Sequence, residues 1–220
     1  MLINSLHYYI IAVNLSKGAI ILSEAIQKIE NMIQSNNGVI TAAEVRSAGI
    51  SPYYLSKLVN DGRLNRLDRG LYASPSVYVD EMFELFSKNR FIVFSHLSAL
   101  YLHELTDRTP LKMFITVPRS KNVSKLLQSG IIDIKRSNEQ THELGLIQVP
   151  SPSGFLIPTY DIERTVCDVV KAKKQTDPQI FADALKNYAK HKDKNLTLLS
   201  KYAKILKTDS LLRPYLEVLL

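Results

Sequence analysis

Residues 41–72 of this chain read TAAEVRSAGISPYYLSKLVNDGRLNRLDRGLY, and this stretch decides the fold of the N-terminal third. Thr41 and Glu44 have the spacing of a capping box, in which each side chain accepts a hydrogen bond from the backbone of the other residue. Gly49 suits a tight turn with positive φ, and Ser51-Pro52 suits the start of a second helix. The pattern predicts two short helices joined by a glycine-containing turn, which is a helix-turn-helix.

The second of these helices, Ser51–Asp61, is predicted to be amphipathic. Leu55, Leu58 and Val59 form its apolar face, and a supporting amphipathic helix, Ser23–Ser35, precedes the pair. The opposite face is polar, whereas a helix buried on all sides would be apolar there. This polar face can form hydrogen bonds with base edges and phosphates. The candidate DNA contacts on this helix are Ser51, Tyr53, Tyr54, Ser56, Lys57 and Asn60.

A basic hairpin is predicted directly after this helix. Asp68-Arg69-Gly70 has the composition of a hairpin loop, and short strands flank it. A basic hairpin that follows a recognition helix is the wing of a winged helix, and an ordinary surface hairpin is the alternative. The hairpin adds candidate DNA contacts at Arg63, Arg66 and Arg69.

These residues resemble the winged-helix domain of AbiEi-type antitoxins. Gly62 to Tyr72 carry the shared pattern G-x-L-x-R-x-x-R-G-x-Y. Two later segments, 93–106 and 158–168, resemble the start of that family's second domain and the entry to its central helix. The resemblance runs from about residue 24 to the end of the chain, and residues 1–23 have no counterpart in it.

The resemblance implies a function for each part of the chain. Members of the family are encoded beside a nucleotidyltransferase-like toxin, and their winged helix binds inverted repeats in the shared promoter and represses it. The second domain is associated with neutralising the toxin. The pair is described as type IV, in which toxin and antitoxin form no stable complex, and such systems abort phage infection. Double-stranded promoter DNA is therefore the expected partner.

The positive charge of the chain is concentrated near its C-terminus. The 28 Lys and Arg residues exceed the 21 Asp and Glu residues, which gives a net charge of +7. Ten lysines against three aspartates lie between Lys171 and Lys207, a surplus equal to that of the whole chain. This segment is either a solvated helix face or a second surface for DNA, RNA or another acidic partner. The candidate residues are Lys171, Lys173, Lys174, Lys186, Lys190, Lys201, Lys204 and Lys207.

The predicted fold class is α+β or α/β. It comprises an N-terminal arm at residues 1–23, a winged helix-turn-helix at 24–75, and a mixed α/β domain at 76–220 with lysine-rich C-terminal helices. In the second domain the pattern predicts a helix over Ser76–Lys88, strands near 91–94, 112–117, 131–135 and 144–149, a further short strand at 155–157, and helices from Tyr160 onward.

We expect the protein not to be an enzyme and to hold no metal or cofactor. Asp133-Ile134-Lys135 is the strongest enzyme candidate, because a carboxylate two residues before a lysine on a strand occurs in metal-dependent nucleases. Glu143 and Asp161 are available as a second carboxylate, but neither has a diagnostic context. His96 and His103 lack a matching third zinc ligand, and the adjacent Ser95 and His96 are expected to point apart.

The remaining composition predicts a soluble, cytoplasmic protein with no membrane partner. The one cysteine, Cys167, excludes an internal disulfide, and it lies in an apolar helix that predicts a place in the core. Asn14, Ser16 and Lys17 interrupt the apolar N-terminus, so no run of about 20 apolar residues is present. Three functions remain open: an antitoxin that represses its own operon, a winged-helix regulator of unrelated genes, and a nuclease targeted by a winged helix.

Overall fold

The structure is a computed structural model that describes residues 22–128 and 130–219. Most of the arm predicted at residues 1–23 therefore lies outside the described residues. The chain is mixed α/β, and it divides between Val79 and Asp80 into two compact units. Within residues 22–128 and 130–219, every helix is too short or too polar to span a lipid bilayer.

The first unit contains, within the described residues, three helices and a three-stranded antiparallel sheet. The elements are α1 (22–35), β1 (Val39–Thr41), α2 (Ala42–Ser47), α3 (Tyr53–Asn60), β2 (Asn65–Asp68) and β3 (Leu71–Ala73). The strand order is β1-β3-β2, so the last strand of the unit lies in the middle of its sheet.

Apolar side chains from every helix of this unit meet in one core. Ile29 of α1, Val45 of α2, and Leu55 and Leu58 of α3 are almost completely buried with Ile40 of β1. Burying a side chain of this size stabilises the fold by roughly 1.5–3 kcal/mol. The core therefore holds the apolar face of α3 inward, as its sequence periodicity predicts.

The local signals that start α2 are confirmed, whereas β1 was not predicted. The Thr41 hydroxyl accepts a hydrogen bond from the Glu44 N–H at 3.2 Å, and the Thr41 N–H donates to the Glu44 carboxylate at 2.7 Å. Residues 39–41 form a strand because Ile40 pairs with Tyr72, a partner far along the chain that no local pattern reveals.

The second unit contains a five-stranded mixed sheet with helices packed against it. Its elements are α4 (Glu81–Lys88), β4 (Val93–Phe94), α5 (His96–Leu102), β5 (Met113–Pro118), α6 (Ser124–Leu127), β6 (Ile132–Ser137), α7 (Glu139–Glu143), β7 (Leu146–Pro150), β8 (Leu156–Tyr160), α8 (Ile162–Lys171), a 3₁₀ turn (Lys173–Gln175), α9 (Pro178–Lys190), α10 (Leu196–Leu206) and α11 (Asp209–Leu219). The strand order is β6-β5-β4-β8-β7. The pairs β5–β6 and β4–β8 are parallel, and the other two pairs are antiparallel.

Helix α8 is the central helix of this unit and is buried along most of its length. Its apolar residues join the core formed with α9 and α10. The Arg164 Nε lies 3.1 Å from both carboxylate oxygens of Asp168, and its Nη1 donates to the carbonyl oxygens of Thr141 and Leu144. Because the pair is buried, removing one partner would leave an uncompensated charge in the interior.

Two helix starts in the second unit differ from the prediction. The helix predicted from Ser76 begins at Glu81, because the Asp80 carboxylate accepts the Phe83 N–H at 3.0 Å and caps the helix there. The helix predicted from Tyr160 begins at Ile162. Tyr160 is instead the last residue of β8, and Asp161 caps α8.

Candidate nucleic-acid interface

The turn between α2 and α3 sets the direction of α3. Gly49 has a φ of +75°, and its N–H donates to the Arg46 carbonyl oxygen at 2.9 Å. The Ile50 N–H donates to the Val45 carbonyl oxygen at 3.0 Å. These two bonds form a Schellman motif, which requires a left-handed residue at the position of Gly49. Because Ile50 and Val45 are both buried, the turn is also anchored in the core.

The polar face of α3 is open to solvent. Tyr53 is 70% exposed, and its ring lies edge-on to that of Tyr54 with 5.9 Å between centroids. The helix begins at Tyr53 rather than at Pro52, and the Ser51 hydroxyl accepts the Tyr53 N–H at 3.3 Å. The predicted contact residues therefore share one surface: Ser51, Tyr53, Ser56 and Asn60 are exposed, and Tyr54 and Lys57 are partly exposed.

The predicted hairpin after α3 is confirmed. Arg66 of β2 pairs with Tyr72 of β3, and a register shift separates this pair from Asp68 and Leu71. Arg66 and Arg69 are exposed, and the Arg66 Nε donates to the Asp68 carbonyl oxygen at 3.3 Å. The hairpin therefore presents two arginines to solvent within a short stretch of chain.

Two of the predicted basic contacts form ion pairs in the structure. The Lys57 Nζ lies 3.5 Å from the Asp61 carboxylate one helical turn away. The Arg63 guanidinium pairs with the Glu30 carboxylate of α1. Exposed ion pairs of this kind contribute about 0–1 kcal/mol, so each cation can exchange its carboxylate for a phosphate at small cost.

The structure separates the lysines of the predicted second basic surface into different surroundings. Lys186 and Lys190 are exposed on α9, as are Lys201 and Lys204 on α10 and Lys174 on the 3₁₀ turn. The Lys173 ammonium lies 5.1 Å from the Tyr215 ring centroid and 5.6 Å from that of Phe181, which are cation–π distances. Lys171 and Lys207 line a cavity beside the sheet. The eight lysines therefore differ in their surroundings.

The enzyme candidates predicted from the sequence lie mostly in packed or paired positions. Asp133 and Lys135 both lie on β6, where the Lys135 Nζ is 3.0 Å from the Asp133 carboxylate. The His103 Nε2 donates to the Tyr160 carbonyl oxygen at 2.6 Å. Cys167 is fully buried, and burial raises the pKa of its thiol to about 12, so the thiol is neutral near pH 7. Among the described residues, no group of three or more His, Cys, Asp or Glu side chains is arranged to hold a metal ion.

The expectation that Ser95 and His96 point apart is wrong. The His96 Nδ1 lies 3.1 Å from the Ser95 hydroxyl, because His96 has a φ of +50° and Ser95 precedes the helix in an extended conformation. The Ser95 hydroxyl also accepts a hydrogen bond from Thr116 and is completely buried. Burial lowers the pKa of His96 below its ordinary value.

The sequence patterns did not reveal a set of basic residues in the second unit. Arg119, Lys135 and Arg136 come from β6 and the loop after β5, and the structure places them around the same cavity as Lys171 and Lys207. No local motif unites these residues. The available signal is that Arg119 and Arg136 each follow a predicted strand within two residues.

Comparison with known proteins supports the resemblance in the first unit. Residues 27–75 match the family model described as "Transcriptional regulator, AbiEi antitoxin". The match spans α3 and the hairpin, and it covers less than a quarter of the chain. Among curated proteins, none matches the chain.

Proposed function

We propose that this protein is an antitoxin that represses its own operon, with the first unit as a winged helix-turn-helix. The observation that carries the proposal is α3, whose apolar face is fixed by the core while the opposite face exposes hydrogen-bonding side chains. An arginine-bearing hairpin follows it, and both lie inside the segment matched by the antitoxin regulator family. In this proposal α2 and α3 are the helix-turn-helix, and β2 with β3 is the wing.

The proposed partner of this surface is double-stranded DNA carrying inverted repeats in the promoter. Helix α3 enters the major groove, and Arg66 and Arg69 reach the backbone or the minor groove. The base-edge and phosphate contacts come from Ser51, Tyr53, Tyr54, Ser56, Lys57 and Asn60, with Arg63 between the helix and the hairpin strands.

The proposal assigns toxin neutralisation to the second unit. As the family resemblance implies, the toxin is nucleotidyltransferase-like, and no stable complex forms with it. The protein acts in the cytoplasm, without catalysis and without a metal or cofactor of its own. The exposed lysines of α9 and α10 add contacts to DNA phosphates.

The test is a double substitution in the full chain, Lys57→Ala with Arg69→Ala. We expect it to weaken binding to the promoter by about 1–3 kcal/mol, provided that one of the two side chains contacts a base. Neither side chain belongs to the core, so the fold should be retained. The measurement is a gel-shift titration with the chain's own promoter.

The matched control is Lys112→Ala with Arg213→Ala, which removes one lysine and one arginine from exposed positions of the second unit. This variant should bind the promoter almost as tightly as the wild type. Equal promoter affinities for the Lys57→Ala/Arg69→Ala variant and the wild type would contradict the assignment.

In cells carrying the toxin, the Lys57→Ala/Arg69→Ala variant should lose repression and still rescue growth. If the wild-type protein bound tightly only to unrelated promoters, a regulator of other genes would be favoured.

A further inference from the structure

A cavity of about 590 Å³ lies in the second unit, between the sheet, α8 and the end of α10. Thr116 of β5 and Lys135 of β6 are neighbours in the parallel pairing, and both line the cavity. Its volume is within the range of small-molecule sites, roughly 300–1,000 Å³. Six basic side chains line it: Arg119, Lys135, Arg136, Arg164, Lys171 and Lys207.

The positive charge around this cavity is only partly neutralised. Arg164 pairs with Asp168, which is the one acidic residue among the described residues of the lining, and Lys135 pairs with Asp133. The other four cations, which are Arg119, Arg136, Lys171 and Lys207, form no ion pair within the described part of the chain. Like charges around a concave site focus the electrostatic field and raise the local concentration of anions.

Arg136 is held in place with donors still available. Its Nη1 donates to the carbonyl oxygens of Arg119 at 3.1 Å and Lys121 at 2.9 Å. A guanidinium group carries five N–H donors in a planar fork, and this fork matches the oxygens of a phosphate. Because only Nη1 is engaged within the described residues, Nε and Nη2 remain available to a ligand.

The backbone around the cavity is unusual at two positions. His96 and Lys207 have φ values of +50° and +57°, and they are two of the four non-glycine residues with positive φ in the described chain. Both line the cavity. At Lys207 this conformation is the left-handed cap that ends α10. At His96, the first residue of α5, it is uncommon for a residue with a side chain, and such residues cluster at ligand sites.

We propose that this cavity binds a small phosphate-bearing ligand of the nucleoside triphosphate class. The phosphates lie among Arg119, Arg136, Lys171 and Lys207. Gln175, Ile205 and Leu206 line the remainder. The Gln175 amide oxygen accepts from the Lys135 ammonium at 3.2 Å, and its N–H groups with the exposed Ile205 side chain suit a sugar and base. The concave lining and its volume favour a small molecule over a duplex, whose phosphates lie along an extended helix.

The test is isothermal titration calorimetry on the full chain in magnesium-free buffer, with ATP, tripolyphosphate and adenosine as probes. We expect ATP to bind more tightly than tripolyphosphate, and adenosine not to bind at millimolar concentration. Arg119→Gln with Lys207→Gln removes two exposed cations of the cavity, and it should weaken ATP binding at least about tenfold by removing charge-assisted contacts. Lys112→Gln with Arg213→Gln is the matched control and should leave the affinity unchanged.

Three results would overturn the proposal. The first is that ATP does not bind, or that both double variants weaken it equally. The second is that tripolyphosphate binds as tightly as ATP, which would remove the nucleoside from the assignment. The third is that duplex DNA displaces ATP while the cavity variant weakens DNA binding as much as ATP binding, which would make the cavity part of a DNA surface.

Two further features keep the test decisive. Lys171→Gln is a second cavity variant, and thermal unfolding checks the fold of each variant. ATP binding is measured without promoter DNA. Absence of ATP binding would therefore leave the proposed repressor function unaffected, and loss of promoter binding would leave the proposed ATP site unaffected.

Discussion

Asp80 joins two distant parts of the second unit. Its carboxylate accepts hydrogen bonds from the hydroxyls of Ser151 and Ser153, from the Ser153 N–H and from the Phe83 N–H. Burial alone would raise the pKa of this carboxyl, but the hydrogen bonds outweigh burial, and the pKa lies below its ordinary value. The ionised form is therefore favoured more in the folded protein than in the unfolded chain.

We predict that Asp80→Asn lowers the free energy of unfolding by roughly 1–3 kcal/mol at neutral pH, because it weakens a buried acceptor with several donors. A lowered folded pKa stabilises the protein at pH values above the unfolded pKa, and this contribution disappears as the pH falls through the folded value. The difference between wild type and variant should therefore shrink below about pH 4. Urea unfolding across a pH series measures it.

The control for this prediction is Asp107→Asn, which changes an exposed aspartate of the same unit. Its unfolding free energy should stay close to that of the wild type at every pH. A stability difference for Asp80→Asn that grows as the pH falls would contradict the sign of the pKa shift.

Gly49 carries a conformational requirement at the turn before α3. A Cβ built at this position meets no atom within 4 Å, so only the backbone conformation opposes a side chain. We predict that Gly49→Ala costs about 1–2 kcal/mol, the usual penalty of a left-handed conformation. Gly49→Asn should cost less, because Asn tolerates this region. Equal losses for Ala and Asn in urea unfolding would indicate a steric cause instead.

At the scale of elements, the sequence predicted what is encoded locally. The capping box of Thr41 and Glu44, the amphipathic face of α3 and the hairpin turn all depend on residues close together in the chain, and all are confirmed. Strand β1 depends on a distant partner, because Tyr72 supplies its pairing, so a local pattern could not reveal it. The Asp80 cap that begins α4 is local, and Ser151 and Ser153 hold its carboxylate from far along the chain.

Helices α9 and α10 each carry exposed lysines at helical spacing. Lys186 and Lys190 are four residues apart on α9, and Lys201 and Lys204 are three apart on α10. We predict that replacing these four lysines with Ala makes the dependence of log promoter affinity on log salt shallower, by roughly 0.9 for each phosphate that the variant no longer neutralises. Alanine is a strong helix former, so the helices should be retained, and circular dichroism would verify this.

The measurement for this prediction is promoter affinity over a salt series, with Lys112→Ala and Arg213→Ala as the control. An unchanged slope would show that the four lysines do not contact DNA. An unchanged slope together with failure to rescue cells from the toxin would assign them to neutralisation through RNA or another acidic partner.

At the scale of the whole molecule, the two candidate surfaces differ in how far the sequence reveals them. The face of α3 is formed by one short segment, so its residues could be predicted from helical spacing. The cavity of the second unit draws its cations from β6, α8, the loop after β5 and the end of α10. Tertiary folding alone brings Arg119 and Lys207 to one cavity, so the sequence pattern included Lys207 in the lysine-rich segment and gave no sign of Arg119.

The position of Cys167 gives this protein a built-in reporter. It is the chain's only cysteine, and its sulfur lies in the interior of the second unit on α8. A thiol-reactive dye can reach it only when that interior opens. The rate of labelling under native conditions would therefore measure how often the second unit opens, without any engineered label.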